Sequence, residues 1–159
     1  MRRINQKIFD PKVVEDILLH SEICRLGFID NDRAYILPFN YGYKNNHIYI
    51  HCANKGKKLD LLKKNNVVCI EIEHTARIER AENACDWGTI YRSLVGYGEV
   101  EIITDNEQKR DAMDIIMKHY GADSNTNMEY DSRKIDSLTI LKIGITEISG
   151  KQSANWPVK

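Results

Sequence analysis

Strand-sized apolar runs follow one another in this chain at hairpin spacing, and that spacing decides what it can fold into. Residues 24–30, 34–39 and 46–51 read as three strands. The turn Asp30-Asn31-Asp32-Arg33 separates the first two, and the polar turn Lys44-Asn45-Asn46 precedes the third. Gaps this short permit only antiparallel neighbours, because a parallel crossover needs a dozen residues or more. A fourth strand is expected over 67–73, where a continuous apolar run passes into strict alternation. A long strand over 89–104 carries Gly96 and Gly98, which mark a bend or bulge of the kind that curls a sheet into a barrel. A last strand is expected over 138–145. Six strands joined this way predict an antiparallel, mainly β (α+β) domain or small barrel and exclude a Rossmann-type sheet.

Helices fill the remaining periodic segments. Asp10-Pro11 ahead of Val13, Val14, Ile17 and Leu18 predicts a short amphipathic helix with Asp10 as N-cap and Pro11 at its first position. A second helix is expected over 57–64, stopped by Asn65-Asn66. A third over 107–120 is capped by Asp105 or Asn106, ended by Gly121, and places Ala112, Ile115, Ile116 and His119 on one side. Residues 74–87 and 122–136 read as polar loops, and the tail from Gly150 as irregular. With 159 residues, 42% hydrophobic and without repeat or linker, residues 1–159 are expected to form a single domain.

Charge narrows the partners. Lys plus Arg and Asp plus Glu are 23 each, so the net charge is zero and a nucleic acid is not the expected partner. A near-neutral chain is also poorly protected against self-association. The longest apolar runs are strand-sized, so no membrane association is expected. The basic start of the chain lacks the apolar stretch of a secretory signal. Cys24, Cys52, Cys69 and Cys85 show no metal-ligand spacing; the first three lie in apolar strand patterns and are expected as reduced core residues, which suits a cytoplasmic protein.

One stretch concentrates local positive charge. The strand ending at His51 leads through Cys52-Ala53-Asn54-Lys55-Gly56 into a helix that opens with Lys57 and Lys58. Lysines beside the N–H groups of a helix start suit a phosphate, although a solvated face has the same composition. Neither the P-loop nor the G-x-G-x-x-G pattern is present.

This run, His51-Cys52-Ala53-x-x-Gly56-Lys57-Lys58-Leu59-Asp60-Leu61-Leu62 with Asn65-x-Val67, resembles the flavin-binding split-barrel family typified by pyridoxamine 5′-phosphate oxidase. Cys24-Arg25-Leu26-Gly27, Pro38-Phe39-Asn40-Tyr41, Tyr91-Arg92-Ser93-Leu94-Val95-x-x-Gly98 and Ile148-Ser149-Gly150-Lys151 fit in order. The nearest branch is similar to the nitroimidazole-resistance proteins. The resemblance implies a six-stranded split β-barrel with FMN between the two subunits of a homodimer. It implies Lys57, Lys58, Arg92 and Ser93 as phosphate ligands, with an ion pair to Glu71 or Glu73 as the alternative for Arg92. It implies Leu37, Pro38, Phe39 and Asn40 along the flavin ring edge, a plain hairpin turn being the alternative for Asn40 and Tyr41. His51 is implied beside the flavin, and Lys151 and Trp156 in a tail packed over it.

His47 and His74 read as exposed loop residues, and Trp87 and Tyr91 as loop anchors or substrate-side residues. The basic C-terminal signature that grips pyridoxal phosphate in the oxidase proper is missing, which argues against vitamin B6 oxidation. The expected activity is an FMN-dependent oxidoreductase acting on a small aromatic or nitro substrate, with NAD(P)H as a candidate electron donor. A non-catalytic carrier of flavin or haem is the alternative, and a deazaflavin-binding relative a third possibility. No catalytic residue and no metal ligand is singled out.

Overall fold

A computed structural model describes residues 4–123 and 128–157. In chain order it contains β1 (Lys7–Ile8), α1 (Pro11–His20), β2 (Ile23–Asp30), β3 (Arg33–Asn40), β4 (Gly42–Lys44), β5 (His47–Ala53), α2 (Lys57–Leu62), β6 (Val67–Glu79), β7 (Gly88–Ile103), α3 (Asn106–His119), α4 (Ser132–Ser137) and β8 (Leu138–Gln152). Every strand pairing is antiparallel, in the order β3-β2-β6-β7-β8-β5-β4, with β1 added on β8. This is the expected split β-barrel with flanking helices, built from eight strands where six are expected. The two extra strands, β1 and β4, are too short to carry a period-2 signal.

Alternation along the strands builds the core. Leu26 and Phe28, Ile48 and Ile50, Val68, Ile70 and Ile72, Leu94, and Leu141 and Ile143 all point inward and are buried. Each such side chain contributes about 1.5–3 kcal/mol over its exposed state. Helix α1 forms as expected: Asp10 accepts from the Lys12 N–H at 2.9 Å, Pro11 stands at the first position, and Ile17 and Leu18 are buried against the barrel. Helix α3 lies outside the sheet, where Ala112 and Ile116 meet Ile103 and Ile140 in a second apolar cluster.

Two bulges bend the long strands. Between β7 and β8 the register shifts at Tyr97/Gly98, leaving Thr146 unpaired, and its hydroxyl donates to the Tyr97 carbonyl at 3.1 Å. A Cβ on Gly98 would stand 2.6 Å from the Ile143 methyl and 2.8 Å from the Gly144 carbonyl, so only glycine lets β8 cross this closely. Between β6 and β7 the register shifts at Glu73/Thr75, and His74 is the extra residue.

Several sequence expectations change here. The segment expected as a loop from residue 74 continues as β6 to Glu79, because β7 pairs with it out to Gly88. The expected loop over 122–136 contains α4, held by Lys109 Nζ donating to the Ile135 carbonyl at 3.3 Å and by Asn106 donating to Asp136 at 2.7 Å; residues 124–127 lie outside the described residues. Strand β8 runs on to Gln152, so Gly150 and Lys151 are in the sheet. Helix α2 ends at Leu62. No helix among the described residues is long and apolar enough to cross a membrane.

Candidate functional site

The predicted site residues fall into two groups joined by β3. Lys57 and Lys58 open α2, and His51 is exposed on β5 opposite Ile140. Lys57 is exposed and forms an ion pair with Asp30 at 2.5 Å, its ammonium 4.8 Å from the centre of the Tyr35 ring. The Asp30 carboxylate raises its pKa above the ordinary lysine value. Lys58 is half-buried beside Cys52. Helix α2 is only six residues long, so the charge here comes from the two lysine side chains more than from a helix dipole.

Arg92, Ser93, Lys151 and Trp156 form the second group. Arg92 lies opposite Gln152 and Ser93 opposite Lys151 across β7 and β8. Arg92 shares the inward face of β7 with buried Leu94; Ser93 takes the other face. Arg92 Nε donates to Gln152 Oε1 at 3.0 Å, and the Trp156 ring covers its guanidinium at 4.2 Å. The ion pair considered for Arg92 with Glu71 or Glu73 does not form: Arg25 takes Glu71 at 2.9 Å, and Arg92 turns to Gln152 and Trp156. The tail is pinned through Ser153, whose N–H donates to the Tyr91 carbonyl at 3.0 Å and whose hydroxyl accepts from the Tyr91 N–H at 3.4 Å. Lys151 Nζ stands 5.5 Å from the Tyr91 ring.

Within one chain the two groups are apart. Strand β2 runs past the Val67 end of β6 to reach Asp30, the partner of Lys57, whereas Arg92 pairs with Thr75. That is roughly 25 Å along β6 at about 3.3 Å per residue. Strand β3 spans the interval: Tyr35 lies under Lys57, and Asn40 pairs with Ile23 at the far end. It is the terminal strand of the sheet order, so its outer edge leaves alternate backbone N–H and C=O groups without a strand partner. Leu37 and Phe39 turn toward the core; Pro38 and Asn40 are exposed. Proline on an edge strand removes no ladder hydrogen bond on the open side.

Two residues that the sequence did not single out for the site stand out here. His74 is not an exposed loop residue: the bulge turns it, half-buried, toward Ser21, whose hydroxyl lies 3.2 Å from Nδ1. Ser21 Oγ donates its one hydrogen to the Ile17 carbonyl at 2.7 Å, so Nδ1 of His74 carries the proton between them. Burial holds His74 below the ordinary histidine value; Arg92 and His20 push the same way, and Asp16 opposes them. Tyr120, at the end of α3, meets Asn40, Tyr41 and Glu22 with one hydroxyl. No periodicity or turn signal marks either residue.

Trp87 anchors its own loop, with Nε1 donating to the Ala81 carbonyl at 2.9 Å. Burial pushes the Cys24 thiol up to about 12, so it stays a thiol at neutral pH. Among the described residues no group of three or more His, Cys, Asp or Glu could hold a metal ion. A hollow of about 1020 Å³ between α3 and the sheet is lined by none of the predicted site residues.

The chain is thus a split β-barrel with an open edge strand between two cationic groups. The chain belongs to the pyridoxamine 5′-phosphate oxidase family, whose model matches residues 10–152. Among solved structures it is similar to a candidate 5-nitroimidazole antibiotic resistance protein from Bacteroides thetaiotaomicron, with 31% identity and a TM-score of 0.79 over 91% of this chain and 85% of that one. The flavocytochrome Anf3 from Azotobacter vinelandii matches at 18% identity and TM-score 0.83, over 100% of this chain and 74% of that one. The FAD- and haem-binding protein from Mycobacterium smegmatis matches at 16% and 0.81, over 97% and 76%. These last two likenesses are of fold. No protein of curated function matches the sequence.

Proposed function

We propose that the protein is an FMN-binding oxidoreductase, active as a homodimer, that acts on a small aromatic or nitro compound in a cleft between subunits. The observation that carries this reading is the open edge of β3, with Lys57 and Lys58 beside its start. The residues fit the group. Unpaired backbone donors and acceptors over Leu37–Asn40 suit the polar rim of an isoalloxazine, and two lysines suit a phosphate. Arg92 and Trp156 are too far along the barrel to complete that site in the same chain, so a partner subunit supplies them.

A second surface supports the dimer. Ile29, Ile36, Val67, Val95 and Tyr97 are exposed large apolar side chains on β2, β3, β6 and β7. Four of them, all but Val95, border a depression of about 520 Å³ that Arg25 and Glu71 also line. A contiguous apolar area of this kind is uncommon on a monomer.

Bound FMN would supply the redox chemistry, taking hydride from a nicotinamide and passing it to the acceptor. The chain's own part is to hold the phosphate through Lys57 and Lys58, to align the ring edge on β3, and to exclude water with the Trp156 tail. On this reading His51, exposed on β5, touches flavin or substrate. The similarity to a candidate nitroimidazole-resistance protein supports a nitro compound as substrate class.

The pinned tail favours a second reading, a flavin carrier whose cleft Trp156 keeps shut. Mass spectrometry of the co-purifying small molecule tests the flavin, with FMN expected. Anaerobic oxidation of NADH or NADPH with a nitroaromatic acceptor separates enzyme from carrier. A Soret band in place of flavin absorbance would refute the flavin reading.

A further inference from the structure

The Tyr120 hydroxyl uses its whole hydrogen-bonding capacity. It contacts the Glu22 carbonyl, the Tyr41 N–H at 3.1 Å and Asn40 Nδ2 at 3.2 Å. A backbone carbonyl can only accept, so the phenol's single hydrogen goes to Glu22. The Tyr41 N–H can only donate and takes one lone pair. The other lone pair can be met only by a donor. Asn40 must therefore turn its amide nitrogen to Tyr120, since Oδ1 in that place would set oxygen against oxygen. The hydrogen count, and not the choice between two similar atoms, fixes the amide.

The partners of this hydroxyl are themselves held. The neighbouring His119 donates from Nε2 to the Ser21 carbonyl at 2.7 Å, one residue before Glu22. Its ring lies 4.5 Å from that of Tyr41, which is fully buried and donates its own hydroxyl to the Leu18 carbonyl at 2.8 Å. The last turn of α3 is thus fastened to the α1–β2 link and to the end of β3 at once.

We infer that Tyr120 is a positioning residue: by fixing Asn40 it presents Oδ1 as a hydrogen-bond acceptor at the end of the β3 edge, where it selects a ligand ring bearing an N–H. The inference rests on the flavin reading above, and it deepens it. The pyrimidine edge of an isoalloxazine carries one N–H, at N3, between two carbonyl oxygens. An amide oxygen held in place pairs with that N–H and repels a ring that lacks it.

Fluorescence titration of the apoprotein with FMN and with N3-methyl-FMN tests this, with thermal midpoints recorded for each variant. Wild type is expected to prefer FMN by about tenfold or more, and Asn40→Ala to bind the two flavins nearly alike. Tyr120→Phe, still folded, is expected to lose most of the preference because the amide is free to turn. The double variant should add nothing to Asn40→Ala. Equal binding by wild type overturns the inference. So does a full preference in Tyr120→Phe, which would show that Asn40 holds its amide without Tyr120. Asn40→Ala carries the test if Tyr120→Phe does not fold, and an unchanged preference there is equally fatal. Failure of wild type to bind FMN at all refutes the flavin reading itself, and this inference with it.

Discussion

Lys58 and Arg92 are half-exposed cations, Arg92 resting on Gln152 and Trp156 and Lys58 standing in the first turn of α2 near Cys52. Replacing both by alanine is expected to lower flavin content at least about tenfold while the far-ultraviolet circular dichroism stays unchanged. Unchanged flavin absorbance in the purified double variant would remove the phosphate assignment. His74 gives a pH signature. Its folded pKa lies below that of the unfolded chain, where histidine titrates near about 6.5. As pH falls through that value the unfolded state takes up the proton first, so the stability present above it is lost toward the lower, folded pKa. Facing it are Ser21, Asp16 and His20 on or beside α1, and Arg92 on β7. Thermal midpoints between pH 7.5 and 5 should fall in wild type, and fall less in His74→Asn, which keeps a donor for Ser21.

At the scale of elements the bulged strands decide the shape. Gly98→Ala would put a methyl group against the Ile143 side chain and the Gly144 backbone of β8. A loss of about 1–3 kcal/mol is expected, a fall in the thermal midpoint of several degrees for a domain of this size. An unchanged midpoint would show that β8 yields at no cost. These strands also show where sequence reading stops. The glycines of β7 announced a bend, and Tyr97/Gly98 is where it occurs. Asn45 and Asn46, both at positive φ, announced a tight turn, and they form it between β4 and β5. The outer halves of β6 and β7 carry polar and charged residues, because one face is solvated; nothing local distinguishes such a ribbon from a loop. Only their mutual pairing makes them strands.

The whole molecule, on the reading proposed here, is half of a working unit. Ile36→Glu places a charge in the middle of the exposed apolar face, where Ile36 is 60% exposed in the single chain. The variant is expected to run as a folded monomer in light scattering coupled to size-exclusion chromatography, and to lose flavin with its partner. A flavin-loaded monomer would show that one chain suffices. The separation of Lys57 from Arg92 along β6 is why that outcome is not expected.

Local chemistry alone determined the antiparallel pairing of the strands, the cap of α1 and the lysine cluster at the start of α2, and it narrowed the cap of α3 to Asp105 or Asn106, because alternation, turn residues and charge are properties of neighbours in sequence. Tertiary structure alone decided the rest. It put Lys57 and Arg92 at different ends of one chain, set Trp156 on Arg92, turned His74 toward Ser21 and saturated the Tyr120 hydroxyl. Each of these depends on strand register and helix docking, which bring together residues far apart in sequence, and no pattern within a window of neighbours encodes such a meeting.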